Sequence, residues 1–320
     1  MKVLKNLSSI IRNTSQVWRK SLLFDYFGEP AYYFSHKFNG DTNFMVMAGV
    51  HPQEEAGIYA LGCLLSQNNI PHSDKLQEMF VIPCRNTLGF HIQSIYEKSK
   101  NQIVDDNPYF TMIQSIHCEL VLVIAKMNGR LPFGNFEWWA ALKKRLSEYH
   151  SKLLMHVVIF SHSLNRTMRG NSYIFYENQF YDFNAGFGVH PWKHITELTS
   201  VINKANPQII IDLHEGLGHG FYLYADPKNS FALQAGKVII SNMRQAGWSI
   251  NNHVRFRELV CDGIYDQTSL QKKGSVNDVI SQNTIFLVFE TGIDLHLEER
   301  VKCHLDALKF AIIYANMKND

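Results

Sequence analysis

The chain is poor in cysteine and has no pair of cysteines at redox or metal-binding spacing. Its 320 residues contain five cysteines, at positions 63, 84, 118, 261 and 303, and none of them belongs to a CxxC pair. An odd and scattered set of this kind is not a disulfide framework. We therefore expect reduced thiols and a cytoplasmic protein.

Long apolar runs and charge of one sign are also missing. The longest apolar run, at 120–125, lies between Glu119 and Lys126 and is far too short to span a membrane. The formal net charge is only +2, and no run of basic residues is interleaved with aromatic ones. The sequence therefore predicts no membrane span and no nucleic-acid partner.

The first 24 residues form a basic segment without any acidic residue, and they are set apart from the domain at 25–320. This composition suits an organelle transit peptide or a membrane-surface helix, and it suits an ordinary N-terminal helix equally well. We favour the ordinary helix. No apolar stretch precedes a small-residue cleavage site, so a secretory signal peptide is not expected.

The remainder predicts a single α/β domain, with a mostly parallel mixed sheet flanked by helices on both faces. Hydrophobic residues make up 46% of the chain, which is enough for a large core. Apolar runs that alternate with amphipathic segments favour this architecture. Strands are predicted at 43–50, 78–83, 153–160, 208–213, 237–241 and 285–289. A closing helix is predicted over 298–316, where apolar residues recur at helical spacing.

Residues 98–153 are interpreted as an insertion. A helix predicted over 135–150 places Phe136, Trp139, Leu142 and Leu146 on one side. Such a stripe could belong to a lid or an interaction surface, although it is more often core packing.

His51 and Glu54 follow the first predicted strand. Pro52 suits the first turn of a helix, so a helix is predicted over 53–67, behind the strand. The strand end and the first helical turn could then aim the His51 imidazole and the Glu54 carboxylate at one point. A zinc ion accepts such nitrogen and oxygen ligands, and a catalytic site needs a third.

Two further strands end in polar residues. The run at 208–213 leads into His214, a natural third ligand, and Asp212 could support it from the same face. A glycine-rich loop is predicted at 215–220. The run at 285–289 leads into Glu290, which is poised as the general base for water that the metal activates. The alternative for each is an ordinary strand that ends in a turn.

Together these residues resemble the zinc carboxypeptidases and the related succinylglutamate desuccinylase and aspartoacylase deacylases. His51 and Glu54 match the family's first ligand pair, His214 matches its third ligand, and Glu290 matches its catalytic carboxylate. The resemblance covers about residues 25–316. It implies the family's fold, one bound zinc ion and hydrolysis of an amide bond.

The substrate-binding motifs resemble the family less closely. Residues 81–90 resemble its Asn-Pro-Asp-Gly segment, in which only Asn86 and Gly89 survive. Arg85 is the candidate for the family arginine that polarises the scissile carbonyl. Tyr265 matches the tyrosine that clamps the substrate, and Val276 falls at the pocket floor, which argues against a basic leaving residue.

The family's Asp-x-Asn-Arg motif has two possible counterparts. Asn165 and Arg166 keep the Asn and Arg, whereas Asp182 and Asn184 keep the Asp and Asn but are followed by Ala185. We prefer Asn165 and Arg166, because a guanidinium is the natural partner of a substrate carboxylate.

The resemblance implies a metallocarboxypeptidase that removes the C-terminal residue of a peptide, for example a bacterial cell-wall peptide. The spacing from His214 to Glu290 and the segment around Tyr265 favour this reading. A deacylase of N-acyl amino acids is the alternative. A zinc-free binding protein on a peptidase scaffold is the third and least favoured reading.

Overall fold

Two β-sheets and the helices packed on them make up the structure. It is a computed structural model, and it describes residues 2–26, 29–90, 110–114, 120–125, 136–150, 155–162, 168–190, 192–216, 218–254, 257–268 and 274–317. The helices are α1 (Lys2–Asn13), α2 (Glu55–Leu65), α3 (Thr87–Phe90), α4 (Phe136–His150), α5 (Lys193–Ala205), α6 (Ser230–Gln245) and α7 (Leu297–Met317).

The larger sheet has nine strands in the order β1-β2-β4-β3-β10-β14-β11-β13-β12. These strands are β1 (Arg19–Tyr26), β2 (Glu29–Lys37), β3 (Thr42–Ala48), β4 (Leu76–Ile82), β10 (Ile209–Gly216), β11 (Phe221–Ala225), β12 (Leu259–Cys261), β13 (Ile264–Asp266) and β14 (Ile285–Gly292). The central four, β4, β3, β10 and β14, are parallel. Antiparallel pairs lie toward both edges, so the sheet is mixed, as predicted.

Alternation along β10 sends successive side chains to opposite faces of this sheet. Ile209, Ile211 and Leu213 pack against α2, α6 and α7 on one face. Ile210 packs on the other face, in a core shared with α5 and with part of the second sheet. His214 follows the same alternation as Ile210. The strand therefore directs the side chain of His214 to the face opposite the three helices.

The second sheet has five strands in the order β5-β6-β7-β8-β9. These are β5 (Phe110–Gln114), β6 (Leu120–Ala125), β7 (Met155–His162), β8 (Met168–Tyr176) and β9 (Gln179–Asp182). Leu142 and Leu146 of the predicted stripe pack on it together with Trp138, and Trp139 is partly buried there, whereas Phe136 is exposed, so only part of the stripe is core packing. The sheet begins inside the expected insertion and continues to Asp182, and it contains the strand predicted at 153–160.

The strand predicted at 237–241 is wrong, because these residues lie within α6. The run of β-branched residues at 238–240 favoured a strand locally. Tertiary packing overrides that preference, since Ala232, Ala235, Ile239 and Met243 are buried at helical spacing under the sheet. The Asn229 side chain accepts a hydrogen bond from the backbone N–H of Ala232 at 3.0 Å and caps the helix.

Two smaller boundaries also differ from expectation. The helix predicted over 53–67 begins only at Glu55, because Gln53 has a positive φ of 72° and cannot continue a helix back to Pro52. The loop predicted at 215–220 is shorter, since β10 runs on through Gly216.

The basic N-terminal segment is helical over Lys2–Asn13, and Ile10 and Ile11 pack on the core beside α2. β1 begins at Arg19 and pairs with β2, so the large sheet already starts inside this segment. Within the described residues, none of the helices combines the length and the apolar character needed to cross a membrane. Cys63, Cys84, Cys261 and Cys303 are free thiols. The cytoplasmic location stays a prediction.

Two buried histidines sandwich an aromatic ring where the second sheet meets α5. The ring of Phe183 lies between His156, at a centroid distance of 5.0 Å, and His194, at 3.9 Å, and all three rings are nearly parallel. Neither ring nitrogen of His156 has a hydrogen-bond partner among the described residues. Burial lowers the pKa of each histidine to about 3. Both are therefore neutral in the folded protein at neutral pH.

Acid should destabilise the fold through these two side chains. Between about pH 6.5 and about pH 3 the unfolded chain binds a proton at each histidine and the folded chain does not. The free energy of unfolding therefore decreases as the pH is lowered through this range. We expect a loss of about 1.4 kcal/mol per pH unit for each histidine, measured by urea unfolding of metal-free protein.

The variant H156F should keep the stack and remove the contribution of His156 to this slope. The matched control is H253F, at a histidine on the surface. An H156F slope identical to that of the unmodified protein would contradict the assignment.

Candidate metal centre and active site

Three side chains converge where β3 and β10 end. The Nδ1 atom of His51 lies 2.9 Å from Oε1 of Glu54, and Nδ1 of His214 lies 3.0 Å from Oε2 of the same carboxylate. The two Nδ1 atoms are 3.2 Å apart, although the residues are 163 positions apart in the chain. Parallel pairing of β3 with β10 brings them together. These three residues could hold a metal ion.

The donor set and its spacing fit zinc. Ligands of a tetrahedral zinc ion are separated by about 3.3 Å, close to the 3.2 Å between the two Nδ1 atoms, and each Nδ1 atom lies within 3.0 Å of one of the two Glu54 oxygens. Burial opposes ionisation of Glu54, but His51 and His214 outweigh it and lower its pKa to about 2. The carboxylate is therefore charged and ready to bind a cation.

Asp212 fixes the orientation of the third ligand. Its Oδ2 atom lies 3.1 Å from Nε2 of His214, on the side of the ring away from Glu54. A histidine that donates Nε2–H to this carboxylate can offer the lone pair of Nδ1 to a metal ion once the proton on Nδ1 is displaced. Burial lowers the affinity of His214 for a proton, yet Asp212 and Glu54 outweigh it and raise its pKa well above the usual value.

Arg85 lies behind Asp212 and not at the substrate position expected for it. Its buried guanidinium donates from Nη2 to Oδ2 of Asp212 at 2.9 Å and to Oδ1 of Asn184 at 2.8 Å. Although burial opposes ionisation of Asp212, Arg85 and His214 hold its pKa below the usual value. An arginine tied to a buried carboxylate is not free to polarise a scissile carbonyl. The expected role for Arg85 is therefore corrected to support of Asp212 and, through it, His214.

The two surviving residues of the 81–90 segment have a structural role. Gly89 donates its backbone N–H to Oδ1 of Asn86 at 2.8 Å, and a Cβ at Gly89 would collide with the Asn86 amide. Asn86 donates in turn to the carbonyl of Val50 at 3.0 Å and to Oγ of Ser172 at 2.7 Å. This buried amide connects the chain just before His51 to the second sheet.

Glu290 lies on the strand next to His214. β10 and β14 are parallel, and their register pairs His214 with Glu290. Burial raises the pKa of Glu290 to about 8 against the pull of His214, and Glu54 and Asp212 raise it further. Its Oε2 atom is buried without a hydrogen-bond partner among the described residues. A carboxyl group tuned toward neutral pH beside a metal centre is suited to proton transfer.

Two tyrosines, Tyr222 and Tyr224, line the sheet beside Glu290. Tyr222 pairs with Glu290 across the antiparallel strands β11 and β14. Burial raises the pKa of Tyr222, and the nearby Glu290 carboxylate raises it further. Gly216 must lack a side chain here, because a Cβ would overlap the Tyr222 hydroxyl. Burial raises the pKa of Tyr224, and the exposed guanidinium of Arg257 opposes this rise as well as that of the Glu290 pKa. No sequence motif marks Arg257.

Tyr265 is not among the groups that the structure brings to the metal centre. It is buried in β13, with 1% of its surface exposed. Its hydroxyl accepts from the backbone N–H of Val254 at 3.0 Å and donates to the carbonyl of Asn251 at 3.1 Å. Because the ring is buried and its hydroxyl is bonded to the backbone, Tyr265 does not clamp a substrate here. The substrate-clamping role expected for Tyr265 is therefore corrected.

The preferred carboxylate-binding pair, Asn165 and Arg166, lies outside the described residues. The competing motif lies within them. Asp182 accepts the backbone N–H of Asn184 at 2.9 Å, and Asn184 in turn accepts from Arg85. Asn184 therefore helps to hold Arg85, the residue that supports Asp212. The sequence did not indicate this contact.

The fold resembles solved metallopeptidase candidates. A candidate metallopeptidase from Shewanella amazonensis SB2B is 15% identical over 98% of this chain and 92% of its own, with a TM-score of 0.55. One from Shewanella denitrificans OS217 is 13% identical over 97% of this chain and 88% of its own, with a TM-score of 0.56. Thrombin activatable fibrinolysis inhibitor is 10% identical over 100% of this chain and 74% of its own, with a TM-score of 0.53.

No protein-family model and no curated protein matches the sequence. At such low identity these likenesses concern the fold alone. They confirm the predicted α/β architecture, with a large mixed sheet and a zinc-carboxypeptidase-like arrangement.

The variant D212N should weaken metal binding. It removes the carboxylate that orients His214 and leaves the Arg85 charge buried without its partner. We expect zinc affinity to fall by about ten- to a hundredfold, measured by competition with a chromogenic chelator.

The matched control is D262N, because Asp262 pairs with Arg244 at the protein surface. A folded D212N protein with unchanged zinc affinity would show that Asp212 does not position the ligand.

Proposed function

We propose that this chain is a zinc-dependent hydrolase of amide bonds that acts as a metallocarboxypeptidase. One observation carries the proposal: a triangle of three metal-ligand atoms lies beside a buried carboxyl on the adjacent strand. Both lie at the carboxyl ends of parallel strands, where α/β sheets place their sites.

His51, Glu54 and His214 would hold the zinc ion. Zinc bound there would act as a Lewis acid, polarising an amide carbonyl and lowering the pKa of water. Glu290 takes the proton from the attacking water and then passes it to the nitrogen of the leaving residue. Its position supports both steps, because its buried Oε2 atom has no hydrogen-bond partner among the described residues and is available to a proton.

The substrate's terminal carboxylate needs a cation. Asn165 and Arg166 are proposed for this role from the sequence motif. Arg257 is a second candidate, because it is exposed and interacts with Tyr224 and Glu290 at the edge of the site. Peptide hydrolysis is favoured over deacylation of N-acyl amino acids, because the fold is shared with candidate metallopeptidases.

Product analysis tests the reaction class. Zinc-loaded protein is incubated with a mixed pool of peptides and N-acyl amino acids, with and without a chelator, and the products are identified by mass spectrometry. We expect loss of single C-terminal residues that stops when zinc is removed. Release of an acyl group would make the protein a deacylase, and no product in either pool would favour a scaffold that only binds.

The variant E290Q separates proton transfer from metal binding. The amide cannot accept the proton from water, so turnover should fall by about a hundred- to ten-thousandfold while zinc content stays at the level of the unmodified protein. The variant H214A should instead lose the metal, measured by elemental analysis.

The control for E290Q is E299Q, which changes an exposed carboxylate on α7. Retained turnover in E290Q would remove Glu290 from the proposed chemistry.

A further inference from the structure

The helix that follows the first ligand pair begins without its usual cap. Glu54 occupies the N-cap position of α2, yet its side chain accepts no hydrogen bond from the helix. Both of its carboxylate oxygens face the ligand histidines instead. The first N–H groups of a helix need an acceptor, which the N-cap side chain normally supplies.

Glu215, on strand β10, supplies that acceptor. Its Oε1 atom accepts the backbone N–H of Ala56, in the first turn of α2, at 2.5 Å. Glu215 directly follows His214, and alternation along β10 sends its side chain to the opposite face, toward α2. Gly57 allows this close approach, since a Cβ there would lie 3.0 Å from Cβ of Leu213.

Arg300 on α7 completes the arrangement. Its Nη1 atom forms an ion pair with Oε2 of Glu215, whose side chain is 1% exposed. Burial opposes the charge on Arg300, and Glu55 nearby favours it. Arg300 thus interacts with the residues that directly follow two of the three ligands, Glu54 and His214.

One buried carboxylate therefore joins three elements around the metal centre. It is one residue from His214 and contacts the helix two residues after Glu54, so it is a short connection between ligands that are distant in sequence. We infer that Glu215 is a positioning residue of the metal centre, held by Arg300, and that this pair fixes Glu54 relative to His214 and thereby sets the affinity for zinc. The inference rests on the proposed zinc site.

Zinc affinity of the full chain tests it. The variants E215Q and R300M each remove the ion pair, and each should raise the zinc dissociation constant about tenfold or more, measured by chelator competition. The double variant should bind zinc no more weakly than either single one, because both changes break the same connection. R300K should recover part of the affinity, since it keeps the charge.

The control is E298Q, an exposed carboxylate on the same helix, which should leave zinc affinity unchanged. Thermal unfolding of the zinc-free proteins shows which variants fold. If E215Q fails to fold, R300M and R300K carry the test alone. Folded E215Q or R300M with the zinc affinity of the unmodified protein would overturn the inference, even if its zinc-free form were less stable.

Failure of the inference is distinguishable from failure of the proposed function. Unmodified protein that binds zinc, with variants that bind it equally well, overturns the inference alone. Unmodified protein that binds zinc but hydrolyses no amide overturns the function alone. Unmodified protein that binds no zinc overturns both.

Discussion

The structure depends on how it neutralises negative charge buried at the carboxyl edge of the large sheet. Glu54 and Asp212 interact there with His51 and His214, and both carboxylates act on Glu290. Arg85 compensates Asp212, and the histidines compensate Glu54. Burial, and after it the Glu54 and Asp212 carboxylates, leave Glu290 with a raised pKa. A bound cation is the natural completion of such a cluster.

The order of strands in the large sheet brings this cluster together from distant segments of the chain. β10 lies between β3 and β14, so three neighbouring parallel strands end at one edge. Ser172 of the second sheet accepts a hydrogen bond from Asn86, and Asn184, in the turn after that sheet, accepts one from Arg85. Asn86 and Arg85 lie behind the candidate ligands. The shape of the site is thus set by two sheets, although its ligands come from one.

The sequence showed the centre of the site more clearly than its surroundings. His51, His214 and Glu290 were recognisable because buried parallel strands read as apolar runs, and each run ends in a polar residue. The partners of Arg85 and the burial of Tyr265 depend on contacts between distant segments, which no local pattern carries. The strand predicted at 237–241 is wrong for a related reason. The β-branched residues at 238–240 favour a strand locally, but packing under the sheet makes this segment helical.

Adjacent residues of β10 serve the two faces of the sheet, with His214 directed to the ligand centre and Glu215 to the helices. A shift of this strand by one position would exchange them, placing an imidazole beneath α2 and a second carboxylate against Glu54. Both placements would be strongly unfavourable. The residues of the candidate site therefore also favour one strand register, and a deletion of one residue within β10 would be tolerated far less well than one in a surface turn.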